Sequence, residues 1–357
     1  MMVDQHVDVA IVDDMETMIW LTGYRVTENL WRCCVIPLLA EPYLVLRSLD
    51  AQQAETQSWI KSIVRFRDEE DPFEVLVNQL GDRRLASANI GVDYDSYSMT
   101  PRRLARLRQL LPEATLTDIS EAKYNLRSVK SDEEICHLGK AAALTDQAFQ
   151  AAVRSARIGG TQRDVAKAVA AAFYQLGFDD GSIGPLTTGA DWDCLHGIIS
   201  DAPLQKGSIV HIELVPRLGS YSARLMRSIS VGRPSAEIAL AMEALIDAQD
   251  QQFEALRPGV SAKAVDRVGR KAVLRAGLRT TYDNVTGYTL GIIPSGSPHT
   301  SDFERCFTPR SDWTVEEGMV FHMYLSGRGL AISETVVVRS GGPVRLTTTD
   351  RKLFQID

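Results

Sequence analysis

The stretch 206–232 reads KGSIVHIELVPRLGSYSARLMRSISVG. Two runs within it, 208–215 and 221–231, carry the apolar and branched residues of a strand pair. Glu213 sits in the first run between Ile212 and Leu214. A carboxylate inside an apolar strand is costly unless it is paired. Arg224, on the second run, is its natural partner. Two readings of the pair stay open. It is either a buried bridge that only fills space, or a carboxylate poised as base, nucleophile or anchor for a substrate cation.

Further segments belong with this one. They are Trp20-Leu21-Thr22-Gly23-Tyr24, Leu126-Arg127 through Glu134-Ile135, and the loop Thr188–His196. Further on come Gly287-Tyr288-Thr289-Leu290-Gly291, Gly318-Met319-Val320-Phe321-His322-Met323-Tyr324 and Ile332-Ser333-Glu334-Thr335-Val336. Together they resemble the creatinase/prolidase (M24, pita-bread) family, and the resemblance covers nearly the whole chain. In that family the strand pair carries two metal-binding aspartates, and here those positions hold Glu213 and Arg224. The family's His ligand falls on Tyr288 and its next Glu ligand on Tyr324. The last ligand falls on Ser333 by ungapped pairing, with Glu334 one residue later. Alternate strand residues face opposite ways, so that one-residue step matters.

A guanidinium has no lone pair and is always cationic. Arg224 therefore replaces a metal instead of binding one, and of the five ligand positions only Glu213 is a certain oxygen donor. The chain is most similar to the metal-free ectoine hydrolase- and creatinase-like members. The shared features are Trp-Leu-Thr-Gly-Tyr, a Glu at the first ligand position, Gly-Tyr-x-x-Gly, Met-x-Phe-His and Ile-Ser-Glu. It departs from them after Gly291, where IIPSGSPHTSDF follows. That departure leaves the substrate open.

Composition sets the outer bounds. A chain of 357 residues is too long for one ordinary core, so two domains are expected. Hydrophobic content of 45% with 24% charged residues is that of a globular protein. A net charge of −7 argues against nucleic acid as a partner. No apolar run reaches membrane-spanning length, and the acidic N-terminus lacks a signal-peptide pattern. The five cysteines form no C-x-x-C pair, which favours reduced thiols in a cytoplasmic protein.

Residues 1–128 read as an α/β domain, with strand-like runs at Val7–Val12, Cys33–Ala40 and Tyr43–Arg47 and a helix at Pro101–Leu111. A capping box, Ser131 with Glu134, opens the second domain, placed at 129–357. Arg157, Gly159, Thr161, Val165, Gly177 and Phe178 recur as Arg257, Gly259, Ser261, Val265, Gly277 and Leu278. This duplicated helix–strand unit predicts pseudo-twofold symmetry. Strands at 208–215, 221–231, 319–325 and 332–338 would form a sheet with the helices outside it. The fold class expected is thus α/β: an N-terminal creatinase-like α/β domain plus a C-terminal pita-bread domain.

The candidate catalytic residues are His196, Glu213, His322 and Glu334. A His with a pKa near neutrality takes and returns a proton, and the resemblance places His196 where family members contact substrate or shuttle protons. The plain alternative is a loop His satisfied by a backbone carbonyl. His322 shares a strand face with Tyr324 and is a second proton shuttle. The candidate substrate-binding residues are Arg224, Tyr288, Tyr324, Trp31 and Glu28. The two tyrosines are either core aromatics or hydrogen-bond donors at former ligand positions. Trp31 and Glu28 lie in a loop that, in the family, covers the neighbouring subunit's pocket, so a homodimer is expected. Arg227 reads as structural, Cys194 as a weak nucleophile candidate, and His299 as solvated.

These readings predict a metal-independent hydrolase of a non-peptide C–N bond in a small cationic or cyclic amidine or amide, without metal or cofactor. Two alternatives remain: an Xaa-Pro metallopeptidase-like enzyme, and a non-catalytic pseudo-peptidase that only binds.

Overall fold

The computed structural model describes residues 1–25, 30–189, 195–295 and 305–356. The chain divides into two compact units, Met1–Arg127 with Pro294–Thr300, and Ser128–Ile293 with Ser301–Asp357.

The first unit holds β1 (Val9–Val12), α1 (Met15–Thr22), β2 (Cys33–Pro37), β3 (Tyr43–Arg47), α2 (Ala51–Gln57), β4 (Ile63–Phe66), α3 (Pro72–Asp82), β5 (Asn89–Val92), α4 (Pro101–Leu110), β6 (Thr115–Asp118) and α5 (Ser120–Ser128). The strands form one mixed sheet in the order β4-β3-β2-β1-β5-β6. Helix starts follow local chemistry: Asp71 before Pro72 and Thr100 before Pro101 each cap a helix whose first residue needs no N–H partner. The Trp20–Tyr24 motif is the end of α1. Gly23 closes the helix at φ 70°, a left-handed conformation that costs glycine nothing.

Trp31 lies in the core of this unit. It is stacked on Phe73 at 4.1 Å between ring centroids, and its Nε1–H donates to Asp13 Oδ2 at 2.7 Å. The stretch Trp31–Val35 is buried within the unit, while Leu38 and Leu39 after it are exposed.

Burial pushes the Asp13 carboxyl up from an ordinary 3.8 to about 6. Folded Asp13 thus holds its proton more tightly than unfolded Asp13. Its favourable contribution is complete below pH ~4 and is lost as pH rises through about 6. Asp13→Asn cannot ionise and still accepts from Trp31. It should raise the unfolding free energy at pH 8 by an amount on the order of 2–3 kcal/mol and leave it unchanged at pH 4. Equal melting temperatures for the two proteins at pH 8 would contradict this.

The second unit holds α6 (Asp132–Ser155), α7 (Gln162–Gln175), β7 (Asp180–Thr188), β8 (Ile209–Arg217), β9 (Leu225–Val231), α8 (Ala236–Ala255), α9 (Ala262–Arg275), β10 (Gly287–Thr289), β11 (Val320–Gly327), β12 (Leu330–Arg339), β13 (Gly342–Arg345) and β14 (Phe354–Ile356). The capping box at Ser131 and Glu134 is formed. The repeat is visible in the backbone. Helix α9 starts and stops one hundred positions after α7, each is capped by a hydroxyl residue, and Gly159 and Gly259 both have positive φ.

The strands do not form one sheet. They form two, β14-β9-β8-β7 and β10-β11-β12-β13. Each half needs an apolar sheet face for its own helix pair. Ile212, Leu214, Leu225 and Ile229 pack on α6 and α7, while Phe321, Met323, Leu325 and Ile332 pack under α8 and α9. Strands β9 and β12 meet through side chains instead of a ladder. The Met226 N–H donates to Ser333 Oγ at 2.7 Å and the Ala331 N–H to Ser228 Oγ at 3.1 Å. No described helix is long and apolar enough to cross a membrane.

Candidate functional site

Alternation along β8 puts Ile212 and Leu214 into the helix-facing core and turns His211 and Glu213 to the other face. Strand β7 bulges beside Glu213, where its register shifts between Ile183 and Leu186. Gly184 lies in that bulge, and a Cβ there would come within 3.0 Å of Glu213 Cβ and Cγ. Only glycine leaves the carboxylate its room.

Arg224 precedes the first residue of β9, and its Nη1 lies 3.6 Å from Glu213 Oε1. Both side chains are buried. The same Nη1 donates to the Tyr288 hydroxyl at 2.6 Å, and that hydroxyl lies 2.8 Å from His322 Nδ1. Tyr288 and His322 are cross-strand partners on β10 and β11. An arrangement consistent with these distances runs Arg224 to Tyr288 to His322, with the phenol O–H donating to Nδ1. His322 Nδ1 is 3.9 Å from Glu213 Oε1. Burial, with the Arg224 charge adding to it, holds the His322 imidazole well below its usual range and therefore neutral.

Tyr324 stacks on His322 at 5.4 Å and accepts from Asn284 Nδ2 at 3.0 Å. Burial pushes its phenol up to about 12, and the Glu213 charge pushes the same way, so it stays a donor. The result is one carboxylate, one guanidinium, one neutral imidazole and two phenols in a single enclosed group. Such a group holds a polar ligand. It offers a carboxylate to take a proton and donors to steady a developing oxyanion.

Ser333 is the cross-strand partner of Tyr324 and so faces this group. Glu334 points to the other side of β12, where Arg227 Nη2 holds it at 2.8 Å and Thr347 Oγ1 at 2.5 Å. It is buried in a network of its own. His196 is exposed on the segment leading to β8 and is near enough to His211 to affect its titration. Trp31 is enclosed in the first unit and offers no free face to a ligand. Glu28, Cys194 and His299 lie outside the described residues. Sequence reasoning missed His211 and Asn284. The pattern His211-Ile212-Glu213 on a strand was the available signal, since residues two apart share a face.

The model of metallopeptidase family M24 matches residues 137–340, and that of the creatinase/prolidase N-terminal domain matches residues 1–129. The chain belongs to metallopeptidase family M24. It is 25% identical to an Xaa-Pro dipeptidase from Pyrococcus furiosus, over 88% of this chain and 86% of that one. It is 28% identical to a probable dipeptidase, PepE, from Mycobacterium bovis, over 90% and 84%. The fold matches that of an X-Pro aminopeptidase from Thermotoga maritima with a TM-score of 0.83, at 20% identity over 98% of each chain.

These relatives overturn the expectation of a metal-independent, ectoine hydrolase-like enzyme acting on a non-peptide C–N bond. Relatives that match this M24 chain over most of its length are dipeptidases by name. The substitutions behind that expectation occupy a handful of positions. They change what the site can hold without revealing which bond the fold presents to it.

By the resemblance, the family's metal position falls on this group, whose described donors do not fit a divalent metal. Among the described residues Glu213 is the only carboxylate in the group, and a guanidinium lies 3.6 Å from it. Among the described residues no group of three or more His, Cys, Asp or Glu is placed to hold a metal ion.

Proposed function

We propose that this chain is a hydrolase of short peptides of the Xaa-Pro class, acting through the group around Glu213. The observation that carries the reading is the likeness to Xaa-Pro dipeptidases through both the N-terminal and the M24 segments. Arg224 and Tyr288 supply donors toward a carbonyl oxygen that gains charge, and Glu213 takes the proton of an attacking water. Arg224 keeps that carboxylate compensated while it waits. The four free thiols among the described residues support a reducing, cytoplasmic setting. Assembly as a homodimer belongs to the same reading, and light scattering tests it.

A second reading has its own support. Arg224, Tyr288 and Tyr324 stand at positions the family uses for metal ligands, which favours recognition without cleavage. The experiment is to incubate the full chain with Ala-Pro and with Ala-Ala, following released proline and, by calorimetry, binding. Release from Ala-Pro, favoured over cleavage of Ala-Ala, supports the hydrolase. Saturable binding without release supports recognition alone. The absence of both release and binding overturns the assignment to Xaa-Pro peptides.

A further inference from the structure

Beside Glu213, on the same face of β8, lies His211, only 2% exposed. Its cross-strand partner on β7 is Thr187, 4% exposed. Paired residues of antiparallel strands share a face, so the two side chains stand next to one another. His211 Nδ1 and Thr187 Oγ1 are both enclosed, and neither has a hydrogen-bond partner among the described residues. Ser228, the partner of His211 on the other side, is already engaged with Ala331. Burying a polar atom without a partner costs about 1–3 kcal/mol, and here two such atoms are side by side.

We propose that Thr187 and His211 form a neutral subsite that takes a carboxamide group of the bound ligand. A neutral imidazole and a hydroxyl together offer a donor and an acceptor, and an amide answers both. A charged carboxylate or ammonium would find no counter-charge on either residue. Burial lowers the proton affinity of His211 and so favours the uncharged imidazole. Residues two apart on a strand are separated by roughly 6.5–7 Å. That is about two residues of extended peptide. A ligand reacting at Glu213 therefore brings the next amide along its chain to His211. Where the ligand is a peptide, this rests on the function proposed above.

The decisive test does not need turnover. Histidine resonances of the full chain, labelled with 15N, are followed while acetamide or acetate is added, with His211→Asn and Thr187→Val used to assign the signal and to keep a folded comparison. The His211 signal should move with acetamide and not with acetate, and Thr187→Val should abolish the response. An unresponsive His211 overturns the subsite whether or not dipeptides are cleaved, because a trapped water then satisfies both atoms. A response to acetamide in a protein that neither binds nor cleaves Ala-Pro keeps the subsite and removes only the dipeptide reading. Where Ala-Pro is a substrate, Ala-Pro amide should have a KM about tenfold below it. His211→Asn should narrow that gap without changing kcat in proportion.

Discussion

Arg227→Met should lower the unfolding free energy by about 3–5 kcal/mol, the range for stranding one member of a buried ion pair. Arg227 is fully buried. Its guanidinium donates to the carbonyls of Met226 at 2.9 Å, Ser333 at 2.7 Å, Thr349 at 2.7 Å and Asp350 at 3.0 Å. It also holds Glu334 at 2.8 Å. One side chain thus ties β9, β12 and the segment before β14. Methionine fills much of the volume but leaves the carboxylate and four carbonyls short of donors. Arg227→Lys keeps the charge and loses the fork, so it should fall between the two. Adding Glu334→Gln to Arg227→Met should recover part of the loss, because the stranded charge is then gone. Urea unfolding midpoints for the four proteins decide it. An Arg227→Met protein as stable as wild type would show that the network is slack.

Glu213→Gln should lower hydrolysis of an Xaa-Pro dipeptide by roughly a hundred- to ten-thousand-fold, the usual cost of losing a general base. The amide keeps the shape and the contact with Arg224 but takes up no proton. Folding should be largely retained, which circular dichroism checks. Glu334→Gln makes the contrast. It sits on the other face of its sheet, so it should reduce stability while leaving the rate per folded molecule within a few-fold. If Glu213→Gln turned over within twofold of wild type, the assigned chemistry would be wrong. If the chain binds without cleaving, the same substitution should instead appear as weakened dipeptide binding.

Much of the architecture was legible because it is written in local chemistry. The capping box at Ser131, the paired glycines at 159 and 259 and the apolar strand runs each dictate their own element. The Glu213–Arg224 contact was legible too, since an acid inside an apolar strand demands a partner. The division into two sheets was not. Strand pairing depends on which helix pair each face must cover, and that is a long-range choice. Whether Ser333 or Glu334 turns inward needed the register of β11 on β12. Trp31 was read as a substrate-binding residue, yet packing on Phe73 buries it within its own unit. The bond acted upon was misjudged because a few ligand positions were weighed against the whole chain.

Glu213 and Arg224 come from the first helix–strand half, and Tyr288, His322 and Tyr324 from the second. Neither half owns a complete set. The carboxylate meets its phenol and imidazole neighbours only once β9 and β12 have docked through Ser333 and Ser228. A chain caught part-way through folding, before these strands dock, therefore lacks the assembled group. The group forms with the joining of the two halves, so any probe of its geometry doubles as a census of correctly joined halves.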